Sequence, residues 1–342
     1  MPQFELTEAG PFLDKRGKPR ARGWSRRPLL AYDRAAILSP VHSIKEWDSY
    51  TVLSPTHGVS FIVADYGAFG IARAEAVDLV EGDCASDSWV VPFPLGSMSL
   101  PASSESGDVR FRDKGKSIDF ALLEDGGRIL KVDIPGFCRG QGLRGAIVLG
   151  ARGDAESLTT AGSWRRRGER FAYCRVLPCL SAEGMMQFGG EELAFSKDEA
   201  FGTLEWCRGV WPHRSEWIRA SVSASVDGHP FALSVAGGDG EDAEGHRTAV
   251  FRDGILHKIS SATIRNDQRD IPGLWRIVSA DGRLDATMAP VAEHGSKDGF
   301  LFFSSARLQS YGLFSGRAVL DDGTVLDFKD LPGNIERTKA RW

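Results

Sequence analysis

The sequence predicts an all-β chain of two antiparallel units, and three observations carry that expectation. Asp-Gly pairs punctuate it at 125–126, 227–228, 253–254, 281–282, 298–299 and 322–323. Asp-Gly tolerates the positive φ angles of tight hairpin turns, so each pair between alternating residues signals a β-hairpin. The 39 glycines and 16 prolines interrupt the chain before apolar residues recur at three-and-four spacing, which excludes long helices. At 342 residues the chain exceeds one ordinary domain and suits two of about 150–200 residues.

The elements follow in order. Ile118, Phe120 and Leu122 alternate with Ser117, Asp119 and Ala121 before the first turn, and Leu130, Val132 and Ile134 alternate after it. Residues 153–160 suggest one short helix. Residues 185–195 form a hairpin that ends the first half. A boundary near residue 196 then divides the chain into units 1–195 and 196–342. In the second unit Ile218, Ala220, Val222 and Ala224 alternate with Arg219, Ser221 and Ser223, and residues 318–320 and 324–328 bracket the last turn. Many short strands with hairpin turns point to sandwiches or barrels, and closure into barrels removes exposed strand edges.

Composition narrows the function. The 42% of hydrophobic residues can build real cores, and 42 Lys+Arg against 46 Asp+Glu leave a net charge of −4. Such a chain has no global field for nucleic acid or an anionic membrane. Its first residues lack a basic segment followed by an apolar run, and no stretch approaches the roughly 18 apolar residues of a membrane helix. Cys84, Cys138, Cys174, Cys179 and Cys207 are odd in number and irregular in spacing. That pattern suits reduced thiols in a cytoplasmic protein, with no metal site.

Several motifs weaken on inspection. Gly140-Gln141-Gly142-Leu143-Arg144-Gly145 matches G-x-G-x-x-G, but a strand-like run follows where a dinucleotide site needs a helix. The acidic run 237–242 lacks the ligand spacing of a calcium loop and reads as a solvated loop. Residues 164–167, Trp-Arg-Arg-Arg, read as an exposed basic loop. No G-x-S-x-G or H-E-x-x-H motif is present, which lowers serine-hydrolase and zinc-protease readings. No cofactor is implied.

Residues 204–217 stand out. They bring together Trp206, Trp211 and Trp217, with Glu205, Arg208, His213, Arg214 and Glu216. Tryptophan buries a large area and its face stabilises cations. A glutamate between such walls would have a raised pKa and donate a proton, while an adjacent arginine would keep it ionised. The alternative is a packed rim in which Glu205 and Arg208 simply pair. A second set, Trp24 and Arg26, Trp47 and Asp48, Asp65 and Tyr66, alternates aromatic and charged residues as at a barrel mouth, or at exposed strand tips. His257 reads first as a hydrogen-bonded structural histidine.

The stretch Leu204-Glu205-Trp206-Cys207-Arg208-Gly209-Val210-Trp211-Pro212 resembles a bacterial domain-of-unknown-function family, family 2804, which typically carries Leu-Asp-Trp-Gly-Arg-Gly-Val-Trp-Pro there. Gly23-Trp24-Ser25-Arg26, Lys45-Glu46-Trp47-Asp48 and Phe251-Arg252-Asp253-Gly254 extend the resemblance over nearly the whole length. That family is distantly similar to hydroxyneurosporene synthase (carotenoid 1,2-hydratase), AttH-type proteins and certain fungal Diels–Alder cyclases. The resemblance implies two lipocalin-like barrels with a ligand site between or within them, and transfers no activity. This chain departs from the pattern at Glu205 (usually Asp), Cys207 (usually Gly) and Arg247-Thr248 (usually Glu-Asn), and Ser234-Val235-Ala236 replaces Asn-Leu-Gly.

Two functions follow from these residues, beside a third reading in which the barrels are filled by their own side chains and form a scaffold with no cavity. The first is a cofactor-independent isomerase, hydratase or cyclase on a terpenoid- or polyketide-like molecule. There Glu205 would be the general acid, Arg208 its orienting partner and His213 a relay, with Trp206, Trp211 and Trp217 lining the cavity. The second is a carrier or sensor of an apolar ligand, held by the same tryptophans together with Trp24, Arg26, Trp47, Asp48, Asp65, Tyr66, Arg247 and His257.

Overall fold

The computed structural model describes residues 4–151, 153–164, 169–238, 247–267 and 273–342. Among them the strands form two large sheets. The main path of the thirteen-stranded first sheet runs Cys84–Pro92, Phe69–Asp78, His57–Asp65, Ile44–Leu53, Phe201–Val210, Phe171–Phe188, Leu143–Leu149, Arg128–Ile134, Lys116–Leu122, Val109–Asp113. The second, of nine strands, runs Ile255–Lys258, Ala249–Arg252, His229–Gly238, Arg214–Val226, Val325–Arg341, Phe303–Val319, Leu284–Phe300, Leu274–Ser279, Ala262–Asp267. Neighbours along both paths pair antiparallel. Each sheet curls around its own apolar core, so the all-β, double lipocalin-like architecture holds. The end strands of the first sheet meet through side chains, with Trp89 stacked on Phe111 at 6.5 Å.

Period-two alternation explains how one strand serves both a barrel core and the seam between sheets. In Phe69–Asp78 every residue but the last is buried. Ala72, Ala74 and Ala76 face the first core. Phe69 and Ile71 join a separate cluster with Trp211 and Trp342, and Arg73 and Glu75 continue that outer face into a cavity between the sheets.

Of the six Asp-Gly pairs named above, five lie between paired strands as expected. At 227–228 and 253–254 both residues have positive φ, 52° and 77°, then 51° and 80°, as a type I′ turn requires. The sixth does not turn. Asp298 and Gly299 lie inside Leu284–Phe300, opposite Ser305 and Ser304, and Asp298 is buried in an ion pair with Arg73. Its carboxylate is engaged across the seam, so the chain reverses only at 301–302.

Other expectations need correction. Residues 158–163 form a strand paired with Phe171–Phe188, so the short helix over 153–160 does not form. The glycine motif at 140–145, by contrast, makes the expected turn, with Gly140 and Gly142 at φ +91° and +76°, and then the expected strand. The strand expected to open the second unit, Phe201–Val210, pairs instead with Ile44–Leu53 and Phe171–Phe188 of the first sheet. The change of sheet therefore falls between Val210 and Arg214, not near residue 196. Residues 165–167 of the basic run and 239–242 of the acidic run lie outside the described residues.

The expectation of five reduced thiols is also overturned. Cys174 and Cys207 face each other across an antiparallel ladder and form a disulfide, and Cys84, Cys138 and Cys179 stay outside it as thiols. A crosslink spanning 33 residues contributes about 3–4 kcal/mol in the loop-entropy model. Denaturation without reductant followed by alkylation should therefore label three cysteines, rising to five after reduction. Five labels without reductant would remove the crosslink.

Candidate functional site: a charged cavity between the sheets

The facing surfaces of the two sheets frame a cavity of about 90 Å³. On the first sheet its walls come from alternate residues, Trp47, Ser49 and Thr51 on one strand, Arg73 and Glu75 on another, and Thr203 and Glu205 on a third. On the second they include Trp217, Arg219, Arg307 and Glu336, with Arg247 closing one side. The lining is charged where the sequence suggested an indole-walled apolar hollow.

The charges form a connected lattice. Arg307 donates to Glu75 at 2.5 and 3.2 Å and to Glu336 at 2.7 Å. Arg219 bridges Glu336 at 2.7 Å and Glu205. Arg247 donates to Glu205 at 2.9 Å, and Arg73 pairs with Asp298. The Tyr311 hydroxyl adds a bond to Glu75 at 2.8 Å. Four guanidiniums thus face four carboxylates in a largely water-excluded seam, where an unpaired charge would be costly. Burial works to raise the Glu336 pKa, but Arg219 and Arg307 outweigh it and hold this carboxyl well below its ordinary 4.5. Glu75 is likewise lowered, with Arg307 and Arg73 outweighing burial. Arg73 Nε is buried and meets no acceptor among the described residues.

Aromatic residues cap one end. Trp47 lies parallel to Trp217 at 6.4 Å and against Trp211 at 4.9 Å, while Trp217 stacks on Trp342 at 6.1 Å. Tyr66 packs on Trp342 at 4.9 Å. The Trp217 indole N–H points to Glu336 at 3.4 Å, which ties this wall to the lattice.

The sequence-predicted residues therefore divide into several places. Trp47, Tyr66, Glu205, Trp217 and Arg247 line the seam cavity, and Trp211 packs behind them. Arg208 does not orient Glu205, because residues three apart on a strand point to opposite faces. It is fully buried inside the first barrel, bonded to Asp48 at 2.6 Å and to three backbone carbonyls, and its guanidinium lies 4.4 Å from the Trp206 ring. Burial pushes the Asp48 carboxyl up against the pull of Arg208. His213 is exposed and bonds the carbonyl of Trp342, so it clasps that residue and does not line the seam cavity. Asp65 shapes a turn, accepting the amides of Gly67 at 2.8 Å and Gly96 at 2.6 Å. Trp24 and Arg26 lie together elsewhere, with Arg26 pairing Glu5 and Glu156 beside the Trp24 ring, and His257 Nδ1 accepts the Asp321 amide at 3.2 Å.

Family and fold relationships agree with this geometry. The model of the family Domain of unknown function (DUF2804) matches residues 3–342. The chain belongs to this family. No curated protein matches this DUF2804 member in sequence. Among solved structures it is similar to an AttH protein of Nitrosomonas europaea, at 14% identity over 88% of this chain and 94% of that one, TM-score 0.50. It is also similar to kievitone hydratase of Nectria haematococca, at 12% identity over 86% and 88%, TM-score 0.51. A third neighbour is CghA, at 11% identity over 98% and 97%, TM-score 0.54. At such identities the likeness establishes the double lipocalin-like fold of the DUF2804 chain and nothing finer.

Sequence reasoning missed Arg73, Glu75, Arg219, Asp298, Arg307 and Glu336. The signal was present for two of them: Arg73 and Glu75 sit two apart in a run otherwise made of small and apolar residues, and so share one face. Arg247 holds Glu205 together with Arg219.

Two outcomes test the lattice. Asp298→Asn, which weakens the partner of buried Arg73, should cost about 3–5 kcal/mol in urea unfolding; a loss under 1 kcal/mol would mean that the pair is solvated. A carboxylate with a depressed folded pKa contributes stability that is complete above its unfolded value and drains away as pH falls through the folded one. The protein should therefore lose stability progressively below about pH 4.5. Glu336→Gln should be weaker at pH 7 and show a shallower decline in acid. A parallel decline in the two proteins would remove Glu336 from the acid limb.

Proposed function

We propose that the chain handles a small molecule in the seam between its two sheets, as a binding protein and not as an acid catalyst working through Glu205. The observation that carries this reading is the state of the cavity's carboxylates. Glu75, Glu205 and Glu336 each lie against at least one guanidinium. A carboxylate so paired is engaged by guanidinium donors and serves as an anchor. Kievitone hydratase shares the fold, but its activity does not transfer at 12% identity.

The lining also limits the ligand. A space of about 90 Å³ is smaller than the roughly 150 Å³ cavity that accepts benzene. A terpenoid or polyketide body does not fit wholly within it. A compact molecule with an oxygen acceptor suits it better: the acceptor takes the free Arg73 Nε–H, and a flat face rests on Trp47 and Trp217.

Native mass spectrometry of the protein isolated from its own host should show a small-molecule adduct. Trp217→Ala should lose that adduct, and Glu205→Gln should keep it while lowering the melting temperature by several degrees. Absence of any adduct, or one indifferent to Trp217→Ala, would refute the seam as the binding site. Conversion of the recovered compound that stops in Glu205→Gln would restore the catalytic reading.

A further inference from the structure

A second cavity, of about 260 Å³, opens beside the core of the first sheet. It shares no lining residue with the seam cavity. One side is apolar, formed by Leu122, Leu177 and Leu180, and the other carries the guanidiniums of Arg128 and Arg175. Both arginines are about 6% exposed. They converge on one residue: Arg128 donates to the Ser104 carbonyl, and Arg175 to the Ser104 hydroxyl at 3.0 Å.

Their partners are unequal. Arg175 meets Ser157 at 2.9 Å and the half-exposed Glu105 at 3.1 Å. Arg128 has the carbonyls of Ser104 and Gly126 and the nearby Tyr50 hydroxyl. No carboxylate of the described residues lies within ion-pair distance of it. The charge of nearby Arg208 is already cancelled by Asp48. Asp125 also lines the cleft, on an exposed turn where it accepts the Gly127 amide at 2.8 Å. Two buried cations against one half-solvated glutamate leave about one positive charge uncompensated, and a buried guanidinium without a counter-ion is costly.

We propose that this cleft binds the carboxylate of a small amphiphilic acid, its head on Arg128 and Arg175 and its hydrocarbon body along the three leucines. A guanidinium fork matches a planar carboxylate, and one negative charge is what the site lacks. Glu105 already places a carboxylate on Arg175, as a tethered competitor on an exposed loop. The space exceeds that of a benzene-sized cavity and suits a short acyl chain.

Calorimetric titration of the full chain with octanoate, octan-1-ol and octyl phosphate tests the proposal. Octanoate should bind at least tenfold more tightly than the uncharged alcohol and more tightly than the phosphate. Arg128→Gln should weaken octanoate at least tenfold. Glu105→Gln, on an exposed side chain whose loss leaves the core intact, should strengthen octanoate severalfold by removing the competitor. Equal binding of acid and alcohol, or unchanged or weakened octanoate binding in Glu105→Gln, would overturn the proposal. Tighter binding of the phosphate would overturn the choice of a carboxylate.

Discussion

Burial of charge without water is the constraint on which this molecule turns. Four arginines and four carboxylates meet in the seam between two sheets, where each unpaired member would cost several kcal/mol. The lattice therefore acts on position. Glu75 reaches Arg307, 232 residues away, only when the outer face of the first sheet lies at one height against the long strands of the second. Apolar clusters around the seam supply the attraction, and the ion pairs select the register in which that attraction is realised.

The same constraint explains details that look unrelated. Asp298-Gly299 forgoes its turn because the aspartate is committed to Arg73. Glu205 is part of the anchoring, since it projects from the face opposite Arg208. Arg247 completes the pairing around Glu205. The result is one molecule with two unlike spaces: a small balanced cavity in the seam, and a larger cleft beside the first core whose charges do not balance.

The tryptophans illustrate a different division of labour. Trp206 and Arg208 belong to the interior of the first barrel, packed with Tyr32 and Tyr173 at 6.1 and 5.4 Å. Trp211 belongs to the seam, because the strand carrying Trp206 exchanges faces at every residue. One dense motif therefore supplies two environments. Its richness in aromatic and charged residues reflects a strand buried on both sides.

Much of the fold was legible along the chain. Turn chemistry located five hairpins, alternation identified their strands, and the resemblance to a known family implied the double barrel. These are short-range properties, set by φ preferences and by which side chains share a face. Alternation also separates Glu205 from Arg208 and puts Arg73 beside Glu75, although neither was read from it. Three features lay beyond any local reading: the pairing of Phe201–Val210 with Ile44–Leu53, the meeting of Cys174 with Cys207, and the matching of seam charges. Each depends on which distant strand lies alongside, and hydrophobic patterning attracts any apolar face without naming its partner. Only the assembled sheets, where a misplaced charge has no water to fall back on, decide that choice.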